Sequence, residues 1–220
     1  MSSTLLATRR VSSHIVAGGG TKVSTFTDDC DDLSLWDFNS GVTASGGHII
    51  VPCNTSYISA STQAVLSMRD SSVLTEVQQV QAVGNSTMST QLRLVKSDYS
   101  ANSYCMIKAA GNLQYGLQIA GVDVQTVITW DATAHRWWKI FESVGRVFFA
   151  VSPNGTNWTT LDVNYPCGEW HETARINLMA GYWGTETPTD AWFDNINLPR
   201  IGWFVLVGGV EIPAVLKNTA

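Results

Sequence analysis

Six glutamates are the first candidates for chemistry in this chain: Glu76, Glu142, Glu169, Glu172, Glu186 and Glu211. Retaining hydrolysis of a glycosidic bond needs two carboxyls about 5–5.5 Å apart across the sugar. On a strand, period-two spacing would aim such a pair into one cleft. Only Glu169 and Glu172 stand close, and three residues apart they point to opposite faces of a strand. His171-Glu172-Thr173-Ala174-Arg175 begins like a zinc-binding H-E-x-x-H but has arginine where the second ligand belongs. Gly18-Gly19-Gly20-Thr21-Lys22 lacks the order and spacing of a phosphate loop. Four scattered histidines give no Ser-His-Asp or Cys-His arrangement. Cys30, Cys53, Cys105 and Cys167 show no CxxC or CxxxC spacing, which argues against zinc. Small buried thiols are the expectation, with a Cys30–Cys53 disulfide as the alternative.

Sugar binding has better raw material. Saccharides present apolar C–H faces and a fringe of hydroxyls, so their sites pair an aromatic platform with polar groups. Gly168-Glu169-Trp170-His171 and Gly181-Tyr182-Trp183-Gly184 have that composition, and the loop Thr185–Asp190 could complete a rim beside the second. Trp183, Tyr182, Trp170 and His171 are therefore the candidate carbohydrate contacts. Most of the nine tryptophans are expected in the core, where each ring buries a large apolar area. Four N-x-[ST] sequons, at Asn54, Asn85, Asn154 and Asn157, read as Asn/Thr-rich turns.

Strands separated by turns must position these residues. His135–Leu161 holds two aromatic and β-branched runs around a Gly-containing turn at Glu142–Arg146, then the turn Ser152-Pro153-Asn154-Gly155. Strands are expected at Val23–Thr27, Leu35–Phe38, Gly47–Val51, Ala64–Met68, Val73–Val83, Met88–Lys96 and Tyr104–Ala109. More follow at Tyr115–Ile119, Val124–Thr129, Arg136–Phe141, Arg146–Ser152, Thr159–Asn164, Ile176–Tyr182 and Ala191–Leu198. In Met88–Lys96, Met88, Thr90, Leu92 and Leu94 share one face, and Ser89, Gln91, Arg93 and Val95 the other. Trp137 and Trp138 point to opposite faces, so both can be core only if both faces of their sheet are covered. No window of useful length has a helical period. The pattern predicts an all-β antiparallel sandwich or jelly roll over residues 23–199, preceded by an extended arm over 1–22. Residues 200–220 read as two short apolar strands around Gly208-Gly209, a segment that needs cover from its own domain or a partner.

Composition narrows the partners. Charged residues are 14% and the net charge is −5 with no basic cluster, so nucleic acid lacks its electrostatic footprint. No apolar run is long enough for a membrane helix, so no membrane insertion is expected. Met1–Arg10 has no apolar run after a basic start, so no secretory signal is expected.

The order F-T-D-D (Phe26–Asp29), L-W-D-F (Leu35–Phe38), H-R-W-W-K-I (His135–Ile140), S-P-N-G-T-N-W-T (Ser152–Thr159) and A-W-F-D-N-I (Ala191–Ile196) resembles a concanavalin A-like lectin/glucanase sandwich, akin to laminin-G-type modules. Asn154 stands where those modules often have Asp. H-R-W-W-K-I and the closing G-W-F-V-L-V-G-G-V-E-I-P-A are similar to minor tail proteins of siphophages that infect actinobacteria. The resemblance implies a virion structural protein, assembled in the host cytoplasm with other tail proteins as a homo- or hetero-oligomer and touching host envelope glycans. It also implies a structural Ca²⁺ at Asp194, approached by Asp28 or Asp29, since first and last strands often pair. Glucanases of this fold carry an E-x-D-x-(x)-E pattern that this sequence lacks, so the expectation is a protein that is not an enzyme. The alternatives are a carbohydrate-binding module or glycoside hydrolase of this fold, or a purely architectural subunit.

Overall fold

The fold was analysed in a computed structural model, which describes residues 21–39, 41–53, 57–79, 88–100, 102–120, 122–182, 189–198, 204–207 and 210–213. In chain order the first strands are β1 (Trp36–Phe38), β2 (Thr43–Ser45), β3 (His48–Val51), β4 (Ile58–Thr62) and β5 (Ser72–Gln79). Next come β6 (Met88–Lys96), β7 (Ser103–Ala109), β8 (Asn112–Ile119), β9 (Val122–Thr129), β10 (Trp137–Ser143) and β11 (Arg146–Ser152). The last are β12 (Thr159–Pro166), β13 (Ala174–Tyr182), β14 (Ala191–Asp194), β15 (Phe204–Val207) and β16 (Val210–Pro213). Sheet 1 has the order β1-β4-β13-β6-β7-β8-β9 and sheet 2 the order β12-β11-β10-β5-β14-β3-β2, seven strands each. All of their ladders are antiparallel. Strands β15 and β16 pair as a separate hairpin. This is the all-β jelly-roll sandwich expected from the turn spacing.

Alternation builds the core. Met88, Leu92 and Leu94 of β6, Tyr104 and Met106 of β7 and Leu113, Tyr115 and Leu117 of β8 face inward and are buried. They meet Val73, Trp138, Ile140, Val147, Phe149 and Phe193 of sheet 2 in one cluster. Tyr115 and Phe149 touch across the sheets with ring centres 5.6 Å apart. Each such side chain contributes roughly 1.5–3 kcal/mol by leaving water. The ends of the sandwich are tied by a bridge between Asp28 and Ile196.

The two adjacent tryptophans are both wholly buried, so both faces of β10 are covered there. Trp138 points into the core and donates to the His135 carbonyl at 2.9 Å. Trp137 lies on the other face, under the turn that follows β11. A Cβ on Gly155, at φ 75°, would sit 2.9 Å from the Trp137 ring, which is why glycine closes that turn.

Several expected elements differ. Val23–Thr27 is no strand: Val23–Thr25 forms a 3-10 turn closed by a Phe26 N–H donating to Val23 O. Ala64–Met68 makes only isolated bridges, because Leu66 bonds Ala174 while Ser67 bonds Thr21 and Met68 bonds His171. The short strands β2 and β4 had no expectation. The closing strand stops at Asp194, where Asn195 and Asn197 turn left-handed at φ 54° and 53°. All four cysteines are free thiols, so Cys30–Cys53 is not a disulfide here.

One buried histidine makes stability depend on pH. His135 accepts from the Asp131 N–H through Nδ1 at 3.1 Å, and burial pulls its pKa below the ordinary 6.5, partly offset by the Asp131 carboxylate. The folded state thus disfavours the protonated ring, so its contribution is intact above pH 6.5 and is lost as pH falls through the lowered folded value. Chemical denaturation at pH 7.5 and 5.5 should show lower stability at 5.5. His135→Asn should narrow that gap, and an unchanged gap would contradict the assignment.

Candidate functional site

The aromatic motifs are not gathered into one platform. Gly168-Glu169-Trp170-His171 forms a 3-10 turn (Glu169–Glu172) at the start of β13, and Tyr182 ends that strand. Eight residue steps separate Ala174 from Tyr182, about 26 Å at the rise of a strand. Trp170 stacks on Tyr104 at 4.7 Å and packs against the core, beside a hollow of about 450 Å³ lined by Lys96, Asn102 and Thr173. His171 turns back on its own loop, Nδ1 lying 2.6 Å from Gly168 O. Tyr182 falls on the inward face of β13 with Ile176, Leu178 and Ala180, and packs against the core. Trp183 lies outside the described residues.

The calcium candidates were tested on their donors. The expected approach of first and last segments is real, since Asp28 bridges Ile196. Yet Asp28 is nearly buried, with Oδ2 accepting from Trp36 Nε1 at 2.5 Å and Oδ1 from Cys30 N at 2.9 Å. Desolvation raises its pKa, against the lowering effect of the Trp36 bond. Asp194 Oδ1 accepts from Asn195 N at 2.6 Å. Among the described residues no three His, Cys, Asp or Glu side chains are grouped to hold a metal ion. Asp28 and Asp194 therefore read as carboxylates that fix backbone and an indole, and the residues do not fit a calcium centre.

A different surface has the makings of a site. The outer face of sheet 1 carries Ser89, Gln91 and Arg93 of β6, opposite the core-facing Leu92 and Leu94. Register aligns Arg93 with Asn177 on one side and Cys105 on the other, then Gly116 and Gln125. The next rung holds Gln91 between Met179 and Ile107, then Gln114. Small residues form the trough: Cys105, Ala109 and Gly116. Side chain at Gly116 is impossible, since a Cβ there would lie 2.2 Å from Val124 O. The result is a groove of about 540 Å³ lined by Tyr57, Ser89, Gln91, Arg93, Ile107, Ala109, Gln114, Asp123, Gln125 and Met179. That is within the roughly 300–1,000 Å³ usual for ligand sites.

Its polar floor is mostly buried and internally bonded. Gln91 is 4% exposed and Asn177 3%. Gln91 Nε2 donates to Ser89 Oγ at 2.7 Å, and Arg93 Nε donates to Gln91 Oε1 at 2.6 Å. Arg93 Nη1 donates to Ser103 Oγ at 3.2 Å and Gln118 Oε1 at 3.1 Å, and Gln118 Nε2 donates to Asp123 Oδ1 at 2.9 Å. Asn177 Nδ2 donates to Ser61 Oγ at 2.7 Å, while its buried Oδ1 has no partner. Tyr57 closes one end with a left-handed backbone at φ 50°. Its ring lies over Gly181, where a Cβ would sit 2.5 Å away, and its hydroxyl bonds Ser89. Burial raises the pKa of that phenol. Sequence reasoning separated the faces of Met88–Lys96 but ranked loop aromatics above them. The missed signal was the run of Ser, Gln and Arg at period two.

No family model matches this chain and no curated protein does. Its fold has solved counterparts. A laminarinase from Flavobacterium sp. UMI-01 aligns with TM-score 0.58 and 8% identity over 78% of this chain and 97% of the other. A Bacillus licheniformis β-glucanase aligns with TM-score 0.56 and 11% identity over 82% and 98%. A Bauhinia forficata lectin, in complex with GalNAc, gives TM-score 0.48 and 11% identity over 78% and 94%. The chain thus shares the jelly-roll sandwich fold of the laminarinase and the β-glucanase, and at these identities the likeness shows the fold alone. It also corrects the expectation that the protein is not an enzyme. That expectation rested on a missing E-x-D-x-(x)-E pattern, whereas the two best-superposing structures named here are, by name, enzymes.

Burial also sets the chemistry of the groove's thiol. Desolvation pushes the Cys105 pKa up to about 11, against the lowering effect of Arg93, so at pH 8 it is a protonated, unreactive thiol. Iodoacetamide at pH 8 should leave Cys105 unlabelled in native protein and label it in denaturant, read by peptide mass spectrometry. Rapid native labelling would show that the trough is open to its floor.

Proposed function

We propose that this chain is a carbohydrate-active sandwich whose oligosaccharide lies along the outer face of sheet 1. One observation carries the reading: a groove lined by Tyr57, Ser89, Gln91, Arg93, Gln114 and Gln125, in which Ser89, Gln91 and Arg93 are bonded into a fixed network. A polyhydroxylated ligand, which both donates and accepts, suits a lining of amide, hydroxyl and guanidinium groups. The fixed network holds those groups in place before the ligand arrives, and Tyr57 offers an aromatic wall at one end.

Calorimetric titration with a panel of neutral and acidic oligosaccharides tests this, with reducing-end release measured in the same samples. Gln91→Ala and Asn177→Ala should each weaken binding about 10-fold, the loss of one or two buried bonds. Trp170→Ala should leave binding unchanged. Release of reducing ends, abolished by the groove variants, would identify the glycan as a substrate. Folded protein that binds no sugar, or whose binding is lost only with Trp170, would contradict the assignment.

A narrower setting, a tail subunit of a siphophage that presents the sandwich to envelope glycans, is supported by the H-R-W-W-K-I motif and the closing apolar segment. That segment contains the hairpin β15–β16. Deleting Trp203–Ala220 should leave glycan binding intact and abolish incorporation into tails. Normal particles containing the truncated chain would exclude this setting.

A further inference from the structure

Resting on the carbohydrate reading, we propose that the groove selects glycans bearing an anionic group, a uronate carboxylate or a sulfate ester, and that Arg93 is the residue that selects. Arg93 stands mid-strand on β6, in the same rung as Asn177 and Cys105. Its Nε and Nη1 are committed to Gln91, Ser103 and Gln118, which fix the plane of the guanidinium. Among the described residues Nη2 has no protein partner. With Nε–H and both Nη1–H groups used, the two N–H groups of Nη2 remain, and the fixed plane aims them as charge-assisted donors at a carboxylate or sulfate oxygen brought alongside.

The charges around it favour an anion. The residues that bond Arg93 are neutral, so its charge is not cancelled where it stands. Asp123 is the carboxylate among the lining residues, lies at the far rim on the edge strand β9, and accepts from Gln118. Arg175, on the same face one rung away, adds no net charge, because Asp37 is its counter-ion. It donates to Thr62 O and Gln63 O and lies 3.7 Å from Asp37 at the opposite edge. A site for neutral sugars has no need of an uncancelled arginine on a half-buried floor, where desolvating a cation is costly without a counter-ion.

The test uses the full chain and matched pairs of probes: oligogalacturonates and oligoglucuronates against their carboxyl-reduced forms, and sulfated oligosaccharides against their desulfated forms. The anionic member of at least one pair should bind 10-fold or more tighter, and the pair that responds names the group. Arg93→Gln should erase the difference within that pair, and Arg93→Lys should keep part of it, with thermal unfolding confirming that both variants fold. Equal binding within every pair, or a preference untouched in Arg93→Gln, would overturn the selectivity while leaving carbohydrate binding standing. No binding of any probe by folded protein would overturn both.

Discussion

Everything distinctive about this sandwich depends on satisfying polar groups on a face where they have little water. The inner faces of the two sheets pack mainly apolar side chains, with Thr75, Thr90 and Lys108 buried among them. The outer face of sheet 1 is harder, because Ser89, Gln91, Ser103 and Asn177 are nearly as buried as the core. A buried amide or hydroxyl left unpaired costs more than a paired one gains. The chain from Ser89 through Gln91 and Arg93 to Gln118 and Asp123 resolves this by having each side chain bond the next. The network then does two things at once: it makes the face stable and it fixes the donors and acceptors that remain.

The strand register is what permits the network. Donor and acceptor meet because Arg93 is flanked by Asn177 and Cys105, with Ser103 and Gln118 one rung away. A slip of one residue would turn Leu92 and Leu94 outward and put Gln91 and Arg93 into the core. Apolar packing on one face and hydrogen bonding on the other therefore select the same register. Gly116 and Gly181 contribute by omission, the first letting β9 approach β8 and the second letting the Tyr57 ring lie on the strand.

Local pattern made much of the fold legible. Met88–Lys96 and Arg146–Ser152 are strands over the residues expected, the first marked by its alternation and the second by an aromatic and β-branched run between sharp turns. Thr43–Ser45 and Ile58–Thr62 were opaque, being short and rich in Ser, Thr and Ala, with pairing supplied by distant neighbours. Val23–Thr27 has strand composition but closes into a 3-10 turn, a tertiary preference that composition does not carry. The groove was half visible. Period two in β6 separates its faces, but a polar face ordinarily means solvent. Its burial arises only when β13, β7 and Tyr57 assemble around it. Loop aromatics drew the eye instead, and Trp170 and Tyr182 turned out to be packing against the core.

The central claim is that a glycan binds along this face, and mapping contacts by NMR tests it most directly. Backbone amide and Gln, Asn and Arg side-chain N–H resonances would be followed while a binding oligosaccharide is titrated into ¹⁵N-labelled protein. The account predicts the largest shifts at Ser89, Gln91, Arg93, Gln118 and Asn177, with the 3-10 turn at Glu169–Glu172 unmoved. Shifts centred on Trp170 and His171, with the β6 side chains silent, would contradict it.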